Sequence, residues 1–199
     1  MDDALRQGGL IWRVLAAWAD LRGSLRYELA RRPTEGRLLY YAVLSGLVWF
    51  LGRTVIASWG PLAPTYTPEH FRALIAAEFV ASVFFRTLAL YVVAAVAGWI
   101  ARKAGGTGNW RESRAALFWA ALVASPAILA AHLLSVLLTG VPGRASEIAD
   151  ALGGLAFGWV AALCIAEAHR FHSAWRVFAL MVLIVGAFIG TIYALGRIL

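Results

Sequence analysis

Four ionisable residues set within apolar stretches are the first candidates for chemistry in this sequence: Glu78, Arg86, His132 and Asp150. Ionisable groups are costly inside a membrane, where they tend to face the bundle interior and to mark ion, proton or headgroup sites. The alternative is a structural cluster in which an acid neutralises Arg86. In an ideal helix, Glu78 and Arg86 lie roughly 80° and about 12 Å apart, so Asp150 is the better partner for Arg86.

A second group of polar side chains, Glu167, His169 and His172, follows the fourth apolar stretch. Two His residues three positions apart can share one face of a helix, as metal ligands do. A third ligand is missing, however, and the positive charges of Arg170 and Arg176 oppose a cation. We therefore predict no metal site, and a solvated His and Arg cluster that changes charge between about pH 5 and pH 8.

The glycine-rich segment from Gly105 to Gly108 does not match a phosphate-binding loop. No Gly-Lys-Ser/Thr follows it and no strand precedes it, so the glycines more simply provide turns between two helices. The sequence also offers no nucleophile with its base. We predict no catalytic residue and no cofactor.

The elements that must position these residues are apolar stretches separated by short arginine-bearing connectors. Hydrophobic residues make up 61% of the chain and the mean hydropathy is +0.73, which excludes an ordinary water-soluble domain. A stretch that crosses the hydrocarbon must be helical, because no water is present there to satisfy its backbone groups. The sequence predicts an all-α membrane protein with five transmembrane helices, at about 36–58, 69–101, 114–139, 147–167 and 174–197.

The distribution of arginine predicts which end of the bundle faces the cytoplasm. The N-terminal segment and the connectors at 102–114 and 168–176 hold most of the Lys and Arg residues, and the other side holds only Arg53, Arg72, Arg144 and Arg197. Short basic loops stay in the cytoplasm, so we expect a cytoplasmic N-terminus and a periplasmic C-terminus. The net charge of +7 is then matched by anionic lipid headgroups on the cytoplasmic side and not by nucleic acid.

Residues 1–35 are predicted to form a unit separate from the transmembrane domain at 36–199. Apolar side chains recur there at spacings of three and four, namely Val14, Trp18, Leu21, Leu25 and Leu29. We predict a cationic amphipathic helix that lies in the cytoplasmic interface, with lipid contacts from Arg13, Trp18, Arg22 and Arg26. The alternative is a helix packed on the cytoplasmic connectors.

Small residues recur at intervals of four in the last two predicted helices, as Gly154 and Gly158 in one and Gly186 and Gly190 in the other. Such residues let helices approach closely in lipid. They predict either packing between the fourth and fifth helices or homodimerisation through the fifth.

Pro126 in the third helix removes one backbone hydrogen bond, which predicts either a static bend compensated by a neighbouring hydroxyl or a hinge.

Three features together resemble the Yip domain family, named for eukaryotic proteins that interact with Ypt/Rab GTPases. They are the five-helix topology, the connector Gly105-Gly106-Thr107-Gly108-Asn109-Trp110 with Pro126 after it, and the polar segment from Glu167 to Arg176. The resemblance covers roughly residues 30 to 199 and is greatest to compact bacterial members. Eukaryotic members bind Rab proteins through a cytosolic N-terminal region, which here is short and basic. The resemblance therefore implies a non-enzymatic membrane scaffold.

The functional hypothesis is a non-enzymatic, multi-pass protein of the bacterial inner membrane that acts as a scaffold or accessory subunit through lateral helix packing. Its expected partners are membrane lipids and either a second copy or a larger membrane-protein complex. The rival hypothesis is a small transporter or channel in which the four intramembrane ionisable residues form a polar path. An enzyme that acts on lipid headgroups is a third class.

Overall fold

The computed structural model describes residues 8–60, 65–138 and 145–195, and the side chains of residues 145, 146, 150, 188, 189 and 192–195 fall outside that description. The protein is 87% helical, with no strand among the described residues. The predicted all-α fold is confirmed.

The α-helices are α1 (Leu10–Ala16), α2 (Leu21–Ala30), α3 (Glu35–Trp59), α4 (Pro68–Lys103), α5 (Trp110–Leu137), α6 (Ala145–Ala168) and α7 (Ala174–Leu195). A 3-10 turn, Ala17–Ala19, follows α1, and one segment of α4, Ala81–Phe85, is π-helical. The predicted spans correspond to α3 through α7, with ends that differ by a few residues.

Two of the long helices begin at capping signals in the sequence. At the start of α4, the hydroxyl oxygen of Thr67 accepts a hydrogen bond from the backbone N–H of His70 at 3.2 Å. At the start of α5, Asn109 and Glu112 form a reciprocal capping box. These side chains satisfy backbone N–H groups that have no partner within the helix.

The central helix of the bundle is α5, which packs against α3, α4 and α6. Every residue from Ala115 to Ser125 is buried, and many of these residues are Ala. Small side chains around the whole helix let its neighbours approach from several sides. The helix therefore supplies most of the contacts that hold the other spans together.

Pro126 lies inside α5, and two side chains donate hydrogen bonds to carbonyl groups of the turn that precedes it. The hydroxyl of Ser125 donates to the carbonyl of Ala121 at 2.7 Å, and the indole N–H of Trp18 donates to the carbonyl of Val123 at 3.1 Å. A proline ring prevents the preceding turn from closing tightly, which frees carbonyl groups there. The carbonyl that loses its partner to Pro126 is that of Leu122, and the two bonds reach its neighbours. The choice between a static bend and a hinge therefore stays a prediction.

Four helical segments are long and apolar enough to cross a membrane: Glu35–Trp59, Pro68–Lys103, Trp110–Leu137 and Glu147–Ala168. The apolar part of α7 whose side chains are described, Ala174–Ala187, is shorter than a full span. These helices indicate a multi-pass membrane protein. The fifth crossing and the orientation of the termini stay predictions.

The short helices α1 and α2 pack on the bundle, against α5 and α6. Val14 and Leu25, two members of the stripe predicted to face lipid, are 7% and 0% exposed and face protein instead. The outward face of α1 is nonetheless apolar and consists of Ile11, Trp12 and Leu15. A position in the membrane interface stays a prediction for this segment, with a different set of side chains turned towards lipid.

Candidate functional site

Arg86 follows the π-helical segment of α4 and reaches across to α3. Its Nη1 atom donates to Oγ of Ser45 at 2.8 Å, and its guanidinium carbon lies 5.5 Å from the ring centroid of Trp49. The buried hydroxyl of Ser45 donates in turn to the carbonyl of Ala42. A hydroxyl and an aromatic face therefore accommodate the charge of Arg86.

Glu78 precedes the π-helical segment and pairs with Arg53 of α3, one helical turn beyond Trp49. Its Oε1 atom lies 3.5 Å from Nε of Arg53 and accepts a hydrogen bond from the hydroxyl of Ser82 at 3.1 Å. The two helices approach closely because Gly46 of α3 lies against the carbonyl of Ser82, where a Cβ atom would clash. The pairing therefore depends on a glycine as well as on the charges.

His132 of α5 is buried against the same face of α3. Its imidazole lies edge-on to the indole of Trp49, with 5.1 Å between the ring centroids. Gly52 contacts the imidazole so closely that a Cβ atom at that position would overlap it. Trp49 thus contacts both His132 and Arg86, and it joins two of the predicted residues.

The Arg86 cluster is defined here as Ser45, Trp49, Gly52, Arg53, Glu78, Ser82, Arg86 and His132. It contains three of the four residues predicted to form an intramembrane polar cluster. Asp150 is on α6, but its side chain falls outside the described residues, so its pairing with Arg86 stays a prediction. The sequence analysis missed the α3 residues, although Ser45, Trp49, Gly52 and Arg53 recur at the spacing of one helical face.

A second buried cluster, which the sequence analysis did not predict, surrounds Glu28 of α2. Its carboxylate forms an ion pair with Arg13, lies 3.6 Å from Nη2 of Arg37 and accepts a hydrogen bond from the hydroxyl of Tyr41 at 2.8 Å. Glu28 is 1% exposed. A buried acid needs both charge partners and hydrogen bonds, and the Glu28 cluster, defined by Arg13, Glu28, Arg37 and Tyr41, provides both.

The central helix completes the surroundings of the Glu28 cluster. The guanidinium carbon of Arg13 lies 5.5 Å from the ring centroid of Trp119, and the indole N–H of Trp119 donates to Oγ of Ser24 at 3.1 Å. The cluster therefore connects α1 and α2 to both α3 and α5. Arg13 was predicted to contact lipid, but it is 6% exposed because it neutralises Glu28.

The other residues predicted to contact lipid also contact protein. Arg22 donates to the carbonyl of His172 at 3.3 Å, and Nε of Arg26 lies 3.3 Å from the carboxylate of Glu167. Trp18 donates to α5 as described above, although it stays 41% exposed. Arg26 and Trp18 are partly exposed, so contact with lipid stays a prediction for these two residues.

His169 at the end of α6 is buried against the glycine-rich connector. Its Nε2 atom lies 2.9 Å from Oγ of Ser113, and its carbonyl accepts a hydrogen bond from the N–H of Thr107. A Cβ atom at Gly106 or Gly108 would lie 2.9 Å from the His169 side chain. The two segments that carry the family resemblance therefore contact each other, at what we call the connector end of the bundle. A solvated His cluster is not formed, because His169 is 1% exposed.

Two helices end at the connector end with the same backbone arrangement. After α4, Gly105 has a φ of +90° and the N–H of Gly106 donates to the carbonyl of Ala101; after α6, Arg170 has a φ of +61°. Such left-handed caps favour glycine, so Arg170 is strained there. Its guanidinium lies 3.2 Å from the carboxylate of Glu112, a contact that links α6 to α5.

Burial lowers the pKa of His169 below its ordinary value of 6.5, and the charges of Arg102 and Arg170 lower the pKa further against an opposing effect of Glu112. A neutral imidazole at neutral pH follows from this. Among the described residues, no group of three His, Cys, Asp or Glu side chains is arranged to hold a metal ion.

The glycines predicted to mediate helix packing differ in their surroundings. Gly158 of α6 packs against the ring of Phe178 of α7, with 3.3 Å between the ring and the position of a Cβ atom. At Gly154, Gly186 and Gly190, a Cβ atom would meet no neighbouring part of the described chain within 4 Å. The contact between α6 and α7 therefore uses one of the four predicted glycines.

A family model, the Yip1 domain, matches residues 31–195. Searches of curated proteins and of solved structures gave no match. The matched region begins after α2, so α1 and α2 lie outside it and the Glu28 cluster connects them to the matched domain. With most of its length matched, and with both segments that suggested the resemblance inside the match, the chain belongs to the Yip1 domain family.

Proposed function

We propose that this protein is a non-enzymatic scaffold or accessory subunit of the bacterial inner membrane, which binds a second copy or a larger membrane protein through lateral helix packing. Membership of the Yip1 domain family and the long apolar helices support a membrane-associated role. The scaffold role, the bacterial location and the partners are our proposal beyond that membrane-associated role.

The observation that carries the proposal is the free glycine face of α7. The helix packs mainly against α6, and Gly186 and Gly190 have no neighbouring part of the described chain against them. Leu183, on the same side of the helix, is 67% exposed. In lipid, small residues in such a series permit the close backbone contact that drives helix association.

The direct test measures the mass of the full-length protein in lipid nanodiscs or mild detergent. The wild type is expected to form a dimer or to retain a membrane partner, and Gly186→Leu is expected to abolish the association because the larger side chain separates the helices. Ala95→Leu places the same side chain on an exposed position of α4 and should leave the association intact. A strictly monomeric, partner-free wild type under several extraction conditions would contradict the proposal.

The alternative function is a small transporter or channel that uses the Arg86 cluster. The contacts of Arg86 with Ser45 and of Glu78 with Arg53 favour a structural role for these charges, since each is already satisfied within the bundle. Flux in reconstituted vesicles that is lost in Asp150→Asn, while the variant remains folded, would favour transport. No flux in the wild type would leave the scaffold as the better explanation.

The orientation has its own test. A reporter that is active only in the periplasm should be active when fused after Leu199 and inactive when fused ahead of α3. The reverse result would contradict the prediction that the basic end faces the cytoplasm.

A further inference from the structure

A groove of about 920 Å³ separates α4 from α7 at the connector end of the bundle. Its walls are mainly aliphatic away from the mouth and include Val92, Val93 and Val96 of α4 and Val177, Leu180 and Ile184 of α7. Ile165 of α6 also lines it. The volume is near the upper end of the range for small-molecule sites, about 300 to 1,000 Å³.

The groove has the depth of one leaflet of a bilayer. Its lining runs along α7 from Arg176 to Val185 and along α4 from its C-cap residue Ala104 to Val92. At about 1.5 Å per residue these stretches are roughly 14 to 18 Å long, about half of a hydrocarbon core that is about 30 Å thick. With the connector end at the membrane surface, as the predicted topology has it, a groove of this length reaches the bilayer midplane.

The mouth of the groove is basic. Arg170, His172 and Arg176 line it, and no Asp or Glu is among the described residues that do so. The guanidinium of Arg170 already forms an ion pair with the carboxylate of Glu112. For the guanidinium of Arg176, in contrast, the described residues provide no hydrogen-bond or ion-pair partner, and the residue is exposed.

We propose that this groove binds one phospholipid with an anionic headgroup. One acyl chain lies between α4 and α7, and the phosphate meets Arg176 at the mouth. An arginine at headgroup level attracts anionic lipid, and an aliphatic wall of one leaflet depth matches an acyl chain. A transmembrane helix of a partner fits less well, because it would need an apolar surface across the whole bilayer.

The lipid site is independent of the proposed association through α7. At 100° per residue, Ile184 in the groove and Gly186 on the free face are about 160° apart around the helix. A lipid can therefore occupy one side while a partner occupies the other. Failure of either proposal leaves the other standing, since the lipid site is tested by variants that line the groove and the association by a variant on the glycine face of α7.

The headgroup is tested with delipidated, full-length protein in mild detergent. Phosphatidylglycerol and phosphatidylcholine with identical acyl chains are offered in equal amounts, and native mass spectrometry measures which lipid is retained. The wild type should retain phosphatidylglycerol preferentially, and Arg176→Gln should reduce the preference about fivefold. Lys103→Gln removes a charge that is exposed at the same end but lies outside the groove, and it should retain the preference.

The acyl chain is tested by filling the groove. Val93 lines the groove and is 47% exposed, so Val93→Trp should fold and should lose retention of both lipids. Ala95→Trp adds the same indole to an exposed position of α4 outside the groove and should bind as the wild type does. Equal retention of the two lipids by the wild type, or unchanged retention by Val93→Trp, would overturn the proposal. If the wild type retains no lipid but forms a dimer, and Val93→Trp does not form that dimer, the groove binds a second copy and the lipid proposal is wrong.

Discussion

At the connector end of the bundle, several ion pairs join separate helices and one group of them, around Glu28, is buried, whereas the ion pair described at the opposite end is partly exposed. Arg13 and Arg37 share Glu28, Arg26 pairs with Glu167, and Arg170 contacts Glu112. At the opposite end, the ion pair between Arg53 and Glu78 is partly exposed, and the segment Pro68–Val80 of α4 buries no residue. The arginines from which a cytoplasmic location is predicted therefore also connect helices.

The difference indicates where stability is concentrated. A buried ion pair depends on both partners, because removal of one leaves an uncompensated charge. An exposed pair near the membrane surface, where we expect Arg53 to lie, contributes little, since water screens it. Substitutions at the two ends should therefore differ in their effects on the free energy of unfolding.

The largest effect is expected for Glu28→Ala. Arg13 would stay buried without its carboxylate, and such a loss typically costs about 3 to 5 kcal/mol. Equilibrium unfolding in mixed micelles measures the change. Glu35→Gln is the control at the same end, because Glu35 pairs with Arg114 but is itself 54% exposed. A loss below about 1 kcal/mol for Glu28→Ala would mean that α1 and α2 are not firmly held by this cluster.

Gly108→Ala should destabilise the contact between the two connectors. A Cβ atom there would lie 2.5 Å from the carbonyl oxygen of Ala168 and 2.9 Å from the imidazole of His169. The carbonyl is backbone and cannot rotate away, so we expect a cost of about 1 to 3 kcal/mol. Gly36→Ala, in α3 with open space around it, should be neutral or slightly stabilising. Equal effects of the two substitutions would show that the connectors separate readily.

Sequence reasoning predicted the helices better than the clusters, for a physical reason. Apolar length alone requires a helix in lipid, so the bounds of α3 to α7 could be predicted without knowing which helices are neighbours. The partners of a charge depend on those neighbours. Arg86 contacts Ser45 and Trp49 of α3, two uncharged residues that the sequence alone did not place beside it, and its pairing with Asp150 stays a prediction.

The N-terminal segment shows a similar limit, because a helical pattern does not say what the helix packs against. Its periodicity predicted one helix, but the structure has two, α1 and α2, separated by a 3-10 turn. An apolar stripe can also face lipid or protein equally well. Arg13 was assigned to headgroups because Glu28, its partner in α2, was not considered as a buried acid. The signal was available, since an acid within a basic amphipathic segment is a natural counter-charge for a neighbouring arginine.

A pH dependence should arise from His169. Because its pKa is lowered in the folded protein, the unfolded state binds more protons below the ordinary value of 6.5, and stability should fall as the pH falls from about 7 to about 5. His169→Gln should reduce this dependence, because the amide does not titrate. His172→Gln, at an exposed position, should behave as the wild type does. Stability that rises as the pH falls over this range would contradict the buried, neutral assignment.

The smallest effect is expected for Arg53→Gln at the opposite end. Arg53 is 45% exposed in its side chain and its partner Glu78 also accepts a hydrogen bond from Ser82, so that carboxylate keeps a partner when the charge is removed. Exposed pairs are worth about 0 to 1 kcal/mol, and a change within about 0.5 kcal/mol of the wild type is expected here. The same unfolding assay that is used for Glu28→Ala provides the comparison. A loss as large as that of Glu28→Ala would mean that the Arg86 cluster is as important for folding as the connector end, because the cost would then include the burial of Glu78 without its arginine.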